Sequence, residues 1–154
     1  MAFVDAAYAN DQRKRRSTTG FVITYCGGTI VYRSKTQSVT AISSTEAEFL
    51  AAVSCAKIAL YLRSILFELG FPCIGPTCIY EDNASTIDIV NSTVPTERAQ
   101  HIYIQYFAIQ DWKEWGCIKL IHIPGKLNPS NYLTKLLGWL LQTRHCRRFM
   151  GHYA

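Results

Sequence analysis

The chain has 154 residues, of which 49% are hydrophobic and 18% charged. That balance excludes a disordered or collagen-like chain, and the length is that of one domain able to bury roughly two-thirds of its unfolded surface. The net charge of +5 fits a polyanionic partner without requiring one, and no Asp or Glu follows Glu114, so carboxylate chemistry must come from residues 5–114.

Ala2 to Tyr8 reads as a strand ending in a loop, with Asp5 at its C-terminal end. Asn10 to Thr19 is polar, includes Arg13-Lys14-Arg15-Arg16, and reads as a turn. Gly20 to Tyr25 and Thr29 to Arg33 read as two more strands joined tightly by Cys26-Gly27-Gly28, which makes an antiparallel meander. Ser43-Ser44-Thr45-Glu46 is a capping-box signature. Behind it, Ala47 to Leu69 has apolar residues at helical spacing, and Gly70 stops the helix. Cys78-Ile79-Tyr80 is a short strand running into Asp82, and a helix follows from about Ala84 to Asn91. Thr96 to Trp115 is expected to be helical, Cys117 to Ile123 a strand, and Pro129 to about Arg148 helical. Trp112, Trp115 and Trp139 are expected in the core, and His101 and His122 in structural roles.

A meander followed by alternating helices and strands predicts an α/β fold with a mixed sheet and helices on its faces. The six scattered cysteines read as free thiols in a reducing compartment rather than a disulfide framework or zinc site. No signal peptide is evident, and no apolar run approaches the ~20 residues of a membrane span, so the expectation is a soluble intracellular protein, cytoplasmic or nuclear.

Asp5 and Asp82 are expected outside the carboxyl ends of neighbouring strands, where open α/β sheets build sites. Glu48, in the first turn of the long helix, can reach the same edge. Three clustered carboxylates are costly without a cation, and an all-oxygen site suits Mg²⁺ or Mn²⁺. Two such ions about 4 Å apart serve an in-line displacement at phosphorus. Each acid also has a structural reading: Asp5 a loop residue, Glu48 a first-turn Glu, Asp82 a helix cap. Glu46 is better explained by the capping box. Position alone does not separate these readings.

The motifs around the acids do. Val4-Asp5-Ala6-Ala7-Tyr8-Ala9, Arg15-Arg16-Ser17-Thr18-Thr19-Gly20-Phe21, Ser43-Ser44-Thr45-Glu46-Ala47-Glu48-Phe49, Tyr80-Glu81-Asp82-Asn83, Gln100-His101-Ile102 and Leu133-Thr134-Lys135 occur in that order. Together they resemble the ribonuclease H domain that closes copia-type retrotransposon polyproteins. The resemblance implies a ribonuclease H-like five-stranded mixed sheet over residues 1–137, followed by a basic helical tail over 138–154. It implies cleavage of the RNA strand of RNA–DNA hybrids, with two Mg²⁺ ions (Mn²⁺ as substitute) on Asp5, Glu48 and Asp82. It places a fourth family acid at Asn131, which brings no charge, so weakened activity is expected.

Small polar residues near the acids, Asn10, Ser44, Thr45, Asn83 and Ser85, are candidates to contact the RNA 2′-hydroxyls. Arg15 and Arg16 are candidates for the phosphates, with Arg13, Lys14, Arg33 and Lys35 beside them. Asn10, Ser44 and Thr45 read somewhat better as loop and cap residues, and Arg13 to Arg16 equally well as a solvated turn. Arg144, Arg147 and Arg148 in the tail could grip nucleic acid or complement a helix end. A reverse transcriptase is expected upstream in a parent polyprotein, which makes the chain a fragment or an excised domain, monomeric and without a membrane partner. Two alternatives stand beside the nuclease: an inactive remnant that binds nucleic acid, and an integrase-like polynucleotidyl transferase.

Overall fold

The structure is a computed structural model that describes residues 1–11, 13–92 and 103–149. Five strands form one sheet in the order β3-β2-β1-β4-β5. They are β1 (Ala2–Asp11), β2 (Arg16–Tyr25), β3 (Gly28–Thr36), β4 (Thr77–Glu81) and β5 (Ile118–His122). β1, β2 and β3 are antiparallel neighbours; β4 runs parallel to β1, and β5 to β4. The helices are α1 (Ser44–Glu68), α2 (Ala84–Asn91), α3 (Tyr103–Glu114) and α4 (Trp139–Phe149). This is the expected mixed five-stranded α/β sheet.

The strands are longer than the sequence suggests. Arg16 to Thr19, expected in a turn, belong to β2, because Thr18 and Thr19 are β-branched and pair with Ala7 and Ala6. The register slips between Ala7 and Asp11, where Ala9 takes a φ of 48° and its N–H finds Ser17 Oγ at 3.0 Å. The β2–β3 turn has positive φ at Cys26 (48°) and Gly27 (82°), the geometry that suits the twist of a two-residue hairpin.

Ser43 caps α1, accepting the Glu46 N–H at 3.1 Å, while Glu46 reaches back to the Ile42 N–H at 2.7 Å. At the other end Gly70 has a φ of 81°, and the N–H groups of Gly70 and Phe71 take the Phe67 and Leu66 carbonyls. Ala47, Ala51, Ala52, Ala56 and Ala59 let α1 approach the sheet closely. Contrary to expectation, α1 is long and apolar enough to cross a membrane by length and composition. Glu48, Lys57 and Arg63 break up the run in the sequence, yet they are widely spaced along the helix. Its first half is buried as the core helix.

Strand alternation sorts the two faces. Val4, Phe21 and Ile79 point toward α1, α2 and α3 and pack with Phe49, Tyr106 and Ile109. Phe3 and Tyr80 point the other way and stack with ring centroids 5.1 Å apart. The C-terminal segment covers that second face. It is not the continuous helix expected from Pro129: short 3₁₀ turns span Gly125–Leu127 and Pro129–Leu133, and α4 begins at Trp139. Pro124 and Pro129 break the helical ladder, and the Asn128 side chain accepts the Ser130 N–H instead. The expected helix from Thr96 is described only from Tyr103; its start, with the Gln100-His101-Ile102 motif, lies outside the described residues.

A Cβ on Gly20 would lie 2.5 Å from Thr134 Cγ2 and 2.9 Å from Leu133 Cβ. Gly20→Ala is therefore expected to push this segment off β2 and cost about 1–3 kcal/mol by overpacking. Urea denaturation measures it; an unchanged midpoint contradicts the close approach. Trp115 and Trp139 are exposed, not in the core, whereas Trp112 packs against it in part. All six cysteines are free, and only Cys55 is fully buried.

Candidate metal centre

β1 and β4 pair only through Ala2 and Phe3, opposite Ile79 and Tyr80. Beyond that point the strands part. Asp5 is thus in the middle of β1 rather than at its end, but it lies just past the last residue paired with β4. Asp82 follows the last residue of β4 on the other side of the fork. Alternation puts Asp5 on the face of Phe3, and Asp82 on the face of Tyr80. Both acids therefore share the side away from α1. Glu48 reaches the fork from the second turn of α1 rather than the expected first, because the helix begins at Ser44, and its carboxylate accepts the Ala6 N–H.

One oxygen from each of Asp5, Glu48 and Asp82 lies within 4.8 Å of the others. Asp5 is fully buried, Glu48 nearly so, and Asp82 half-buried. Burial, and then the neighbouring Asp5 and Asp82 charges, push the Glu48 carboxyl up to about 9. Burial and Asp5 also raise Asp82. Oε2 of Glu48 is buried without a hydrogen-bond partner. A divalent cation fits this all-oxygen donor set and would satisfy that atom.

Three features here were not read from the sequence. Thr134 donates its hydroxyl to Asp5 Oδ2, and Lys135 Nζ lies 3.2 Å from Asp5 Oδ1. The Leu133-Thr134-Lys135 motif marks the pair without giving its contact with Asp5. Glu81 is a fourth carboxylate beside them and is fully buried. Oε1 takes the Asp82 and Asn83 N–H groups, while burial and then Glu48 hold its carboxyl well above the usual range. It faces the α1 side, as alternation from Ile79 requires. Gly125 closes the rim: a Cβ there would lie 2.7 Å from Asp82 Oδ2.

Asn131, at the expected fourth-acid position, is at the site. Its Nδ2 donates to the Gly125 and Asn128 carbonyls at 2.6 and 3.1 Å, and its Oδ1 accepts from Lys135 at 2.9 Å. The fully buried Asn128 anchors this segment by donating to the Val4 carbonyl at 2.7 Å.

The remaining candidates divide into two groups. Ser44, Thr45, Asn83 and Ser85 sit at the starts of α1 and α2, which are tied by Thr86 Oγ1 donating to the Thr45 carbonyl at 3.3 Å. Asn83 is also the α2 cap, so its Oδ1 is committed to the Thr86 N–H. Asn10, Arg15 and Arg16 are not gathered there. They lie at the tip of the β1–β2 ribbon, and Asp11, opposite Arg16, is about 20 Å along the strand from Asp5 at the usual rise. Asn10 Oδ1 accepts from Thr18 at 2.8 Å. His122 is exposed at the end of β5, opposite Glu81. His101 lies outside the described residues. A basic groove of about 220 Å³ lies between β3 and α1, lined by Arg33, Lys35, Gln37 and Lys57 among others. A larger cavity of about 410 Å³ is at the opposite end, beside Tyr25 and Arg63, remote from the carboxylates.

No family model matches the chain. It is 34% identical over 135 residues to the retrovirus-related Pol polyprotein from transposon TNT 1-94 of Nicotiana tabacum, a match covering 88% of this chain and 10% of that protein. It is 30% identical over 136 residues to the Pol polyprotein from transposon RE1 of Arabidopsis thaliana, covering 88% and 9%. The chain thus spans about a tenth of the length of these relatives. Among solved structures, it superposes on the N-terminal RNase H domain of a Mycobacterium tuberculosis protein with a TM-score of 0.62 and 11% identity, over 86% of this chain and 88% of that one. It superposes on LC11-RNase H1 in complex with an RNA/DNA hybrid with a TM-score of 0.61 and 14% identity, over 86% and 91%. The protease–reverse transcriptase of prototype foamy virus matches 99% of this chain with 20% of its own length, at a TM-score of 0.54 and 16% identity. The chain therefore has the ribonuclease H fold, and its homologues are plant retrotransposon Pol polyproteins, in keeping with the copia-type resemblance of its motifs.

Proposed function

We propose that this domain is a divalent-metal-dependent endonuclease that hydrolyses the RNA strand of RNA–DNA hybrids. One observation carries the reading: three carboxylates converge within 4.8 Å at the fork of the sheet. Without a cation, burial and mutual repulsion keep Glu48 protonated at neutral pH; with one, its carboxylate can ionise. Asp5, Glu48 and Asp82 would hold the cation, Mg²⁺ or Mn²⁺ by their hard oxygen donors. When bound it supplies Lewis-acid stabilisation at the scissile phosphate.

The chain's own residues orient the rest. Thr134 and Lys135 hold Asp5, the Ala6 N–H holds Glu48, and the helix starts at Ser44 and Ser85 offer hydroxyls to a 2′-hydroxyl or phosphate. Arg33, Lys35 and Lys57 suit a backbone phosphate, and the ribbon tip with Arg15 and Arg16 suits one further along the duplex. The hybrid in the LC11-RNase H1 complex and the plant Pol relatives support hybrid cleavage over integrase-like transfer, which a strand-transfer assay with DNA ends separates. The same relatives support a place joined to a reverse transcriptase in a longer polyprotein.

A labelled RNA–DNA hybrid with Mg²⁺ or Mn²⁺ is expected to be cut by the chain and not by Asp82→Asn. Cleavage no greater than that of Asp82→Asn in both metals would refute the nuclease. Asn131 favours a second reading, a domain of weakened activity, because its oxygen is neutral and already occupied by Lys135.

A further inference from the structure

The site carries a cation of its own. Lys135 Nζ lies 3.2 Å from Asp5 Oδ1 and 2.9 Å from Asn131 Oδ1. Asn131 is not free to turn away, since its Nδ2 is committed to the Gly125 and Asn128 carbonyls. Its Oδ1 is therefore fixed toward the ammonium. The backbone repeats the pairing: the Lys135 N–H donates to the Asn131 carbonyl at 3.0 Å. On Asp5 the charged Lys135 Nζ takes Oδ1, whereas Oδ2 accepts only the neutral Thr134 hydroxyl and keeps a lone pair. Glu48 differs in contact, since its Oε2 is buried without a hydrogen-bond partner, although the Lys135 charge reaches Glu48 and Asp82 as well.

We infer that Lys135 is a tethered monovalent cation occupying the Asp5–Asn131 half of the centre, so that a single divalent ion binds across Asp5 Oδ2, Glu48 and Asp82. A second divalent ion enters only when Lys135 swings out. The physical reason is charge. A divalent ion bound to Asp5 Oδ1 would sit beside an ammonium that touches the same oxygen, and like charges at that range repel strongly. Asn131 adds no negative charge to compensate. The Lys135 side chain is 47% exposed and sits on a flexible four-carbon stem, so its head can leave into solvent without disturbing the core. This inference rests on the metal-centre reading.

The test is Mn²⁺ titration of the purified chain followed by calorimetry and by the electron paramagnetic resonance of free Mn²⁺. The parent is expected to bind one ion. Lys135→Met is expected to bind a second in the same range, or the first at least about tenfold more tightly. Lys135→Arg, which keeps the charge, is expected to stay at one ion. Circular dichroism checks that each variant is folded. A parent that binds one ion and a Lys135→Met protein with the same stoichiometry and affinity would overturn the inference and leave the metal centre standing. So would a parent that binds two ions equally well. No Mn²⁺ binding by either protein, or parental binding by Asp82→Asn, would overturn the metal centre and this inference with it.

Discussion

Glu48→Gln is expected to make the metal-free protein more stable at pH 8 while lowering hybrid cleavage by about three orders of magnitude. The stability sign follows from the raised carboxyl. Glu48 is pushed to about 9 in the folded chain, against an ordinary value of 4.5. The folded state thus keeps a proton that the unfolded state releases, and stability falls as pH rises between those two values. Gln keeps the shape and removes the ionisation, with an expected gain on the order of a few kcal/mol at pH 8 and little at pH 4. Glu81 has a shift of the same sign, so part of the pH slope remains in the variant. Cation binding reverses the ranking, since it favours the ionised carboxylate that Gln lacks. The loss of cleavage corresponds to about 4 kcal/mol of transition-state stabilisation. Urea titrations at pH 5 and pH 8, in EDTA and in Mn²⁺, check the first part. A variant less stable than its parent at pH 8 in EDTA would contradict it.

Asn131→Asp is expected to raise cleavage about tenfold or more in Mg²⁺ while weakening the metal-free fold. A carboxylate adds the missing charge on the second-ion side. It also places an oxygen where Nδ2 now donates to the Gly125 and Asn128 carbonyls, leaving both acceptors unsatisfied at about 1–3 kcal/mol in EDTA. The new carboxylate would pair first with Lys135, so the gain should be larger when Lys135→Met is added. Single-turnover cleavage of the parent, the two single variants and the double variant measures the coupling. Unchanged cleavage in Asn131→Asp, with or without Lys135→Met, would show that the amide is not what limits the site.

Much of this site was legible because its acids lie in strong local contexts. The Ser43 capping box places Glu48 near the start of α1, and the short apolar run before Glu81 ends β4 just ahead of Asp82. The meander was readable from β-branched and aromatic residues at Gly20 to Tyr25. What was not legible depends on tertiary pairing. Asp5 lies mid-strand, and only the early parting of β1 from β4 makes that an opening. Arg16 to Thr19 look polar enough for a turn, yet they complete a ribbon whose bulge at Ala9 is held by Ser17. Thr134 and Lys135 reach Asp5 from 129 and 130 residues away in the chain, a contact no local pattern encodes. Glu81 looks like a neighbour of Asp82 of equal standing, until alternation turns it toward the core. Trp115 and Trp139 were expected inside from spacing alone, but Trp115 falls in the turn after α3 and Trp139 opens α4, and both face solvent.

The central claim is that Asp5, Glu48 and Asp82 form one cation site. The most direct measurement is the melting temperature of the parent and of Asp82→Asn at pH 8, in EDTA and in saturating Mn²⁺. The claim predicts a saturable rise of several degrees for the parent and almost none for the variant. A parent that melts at the same temperature in both buffers, or a variant that gains as much as the parent, would contradict it.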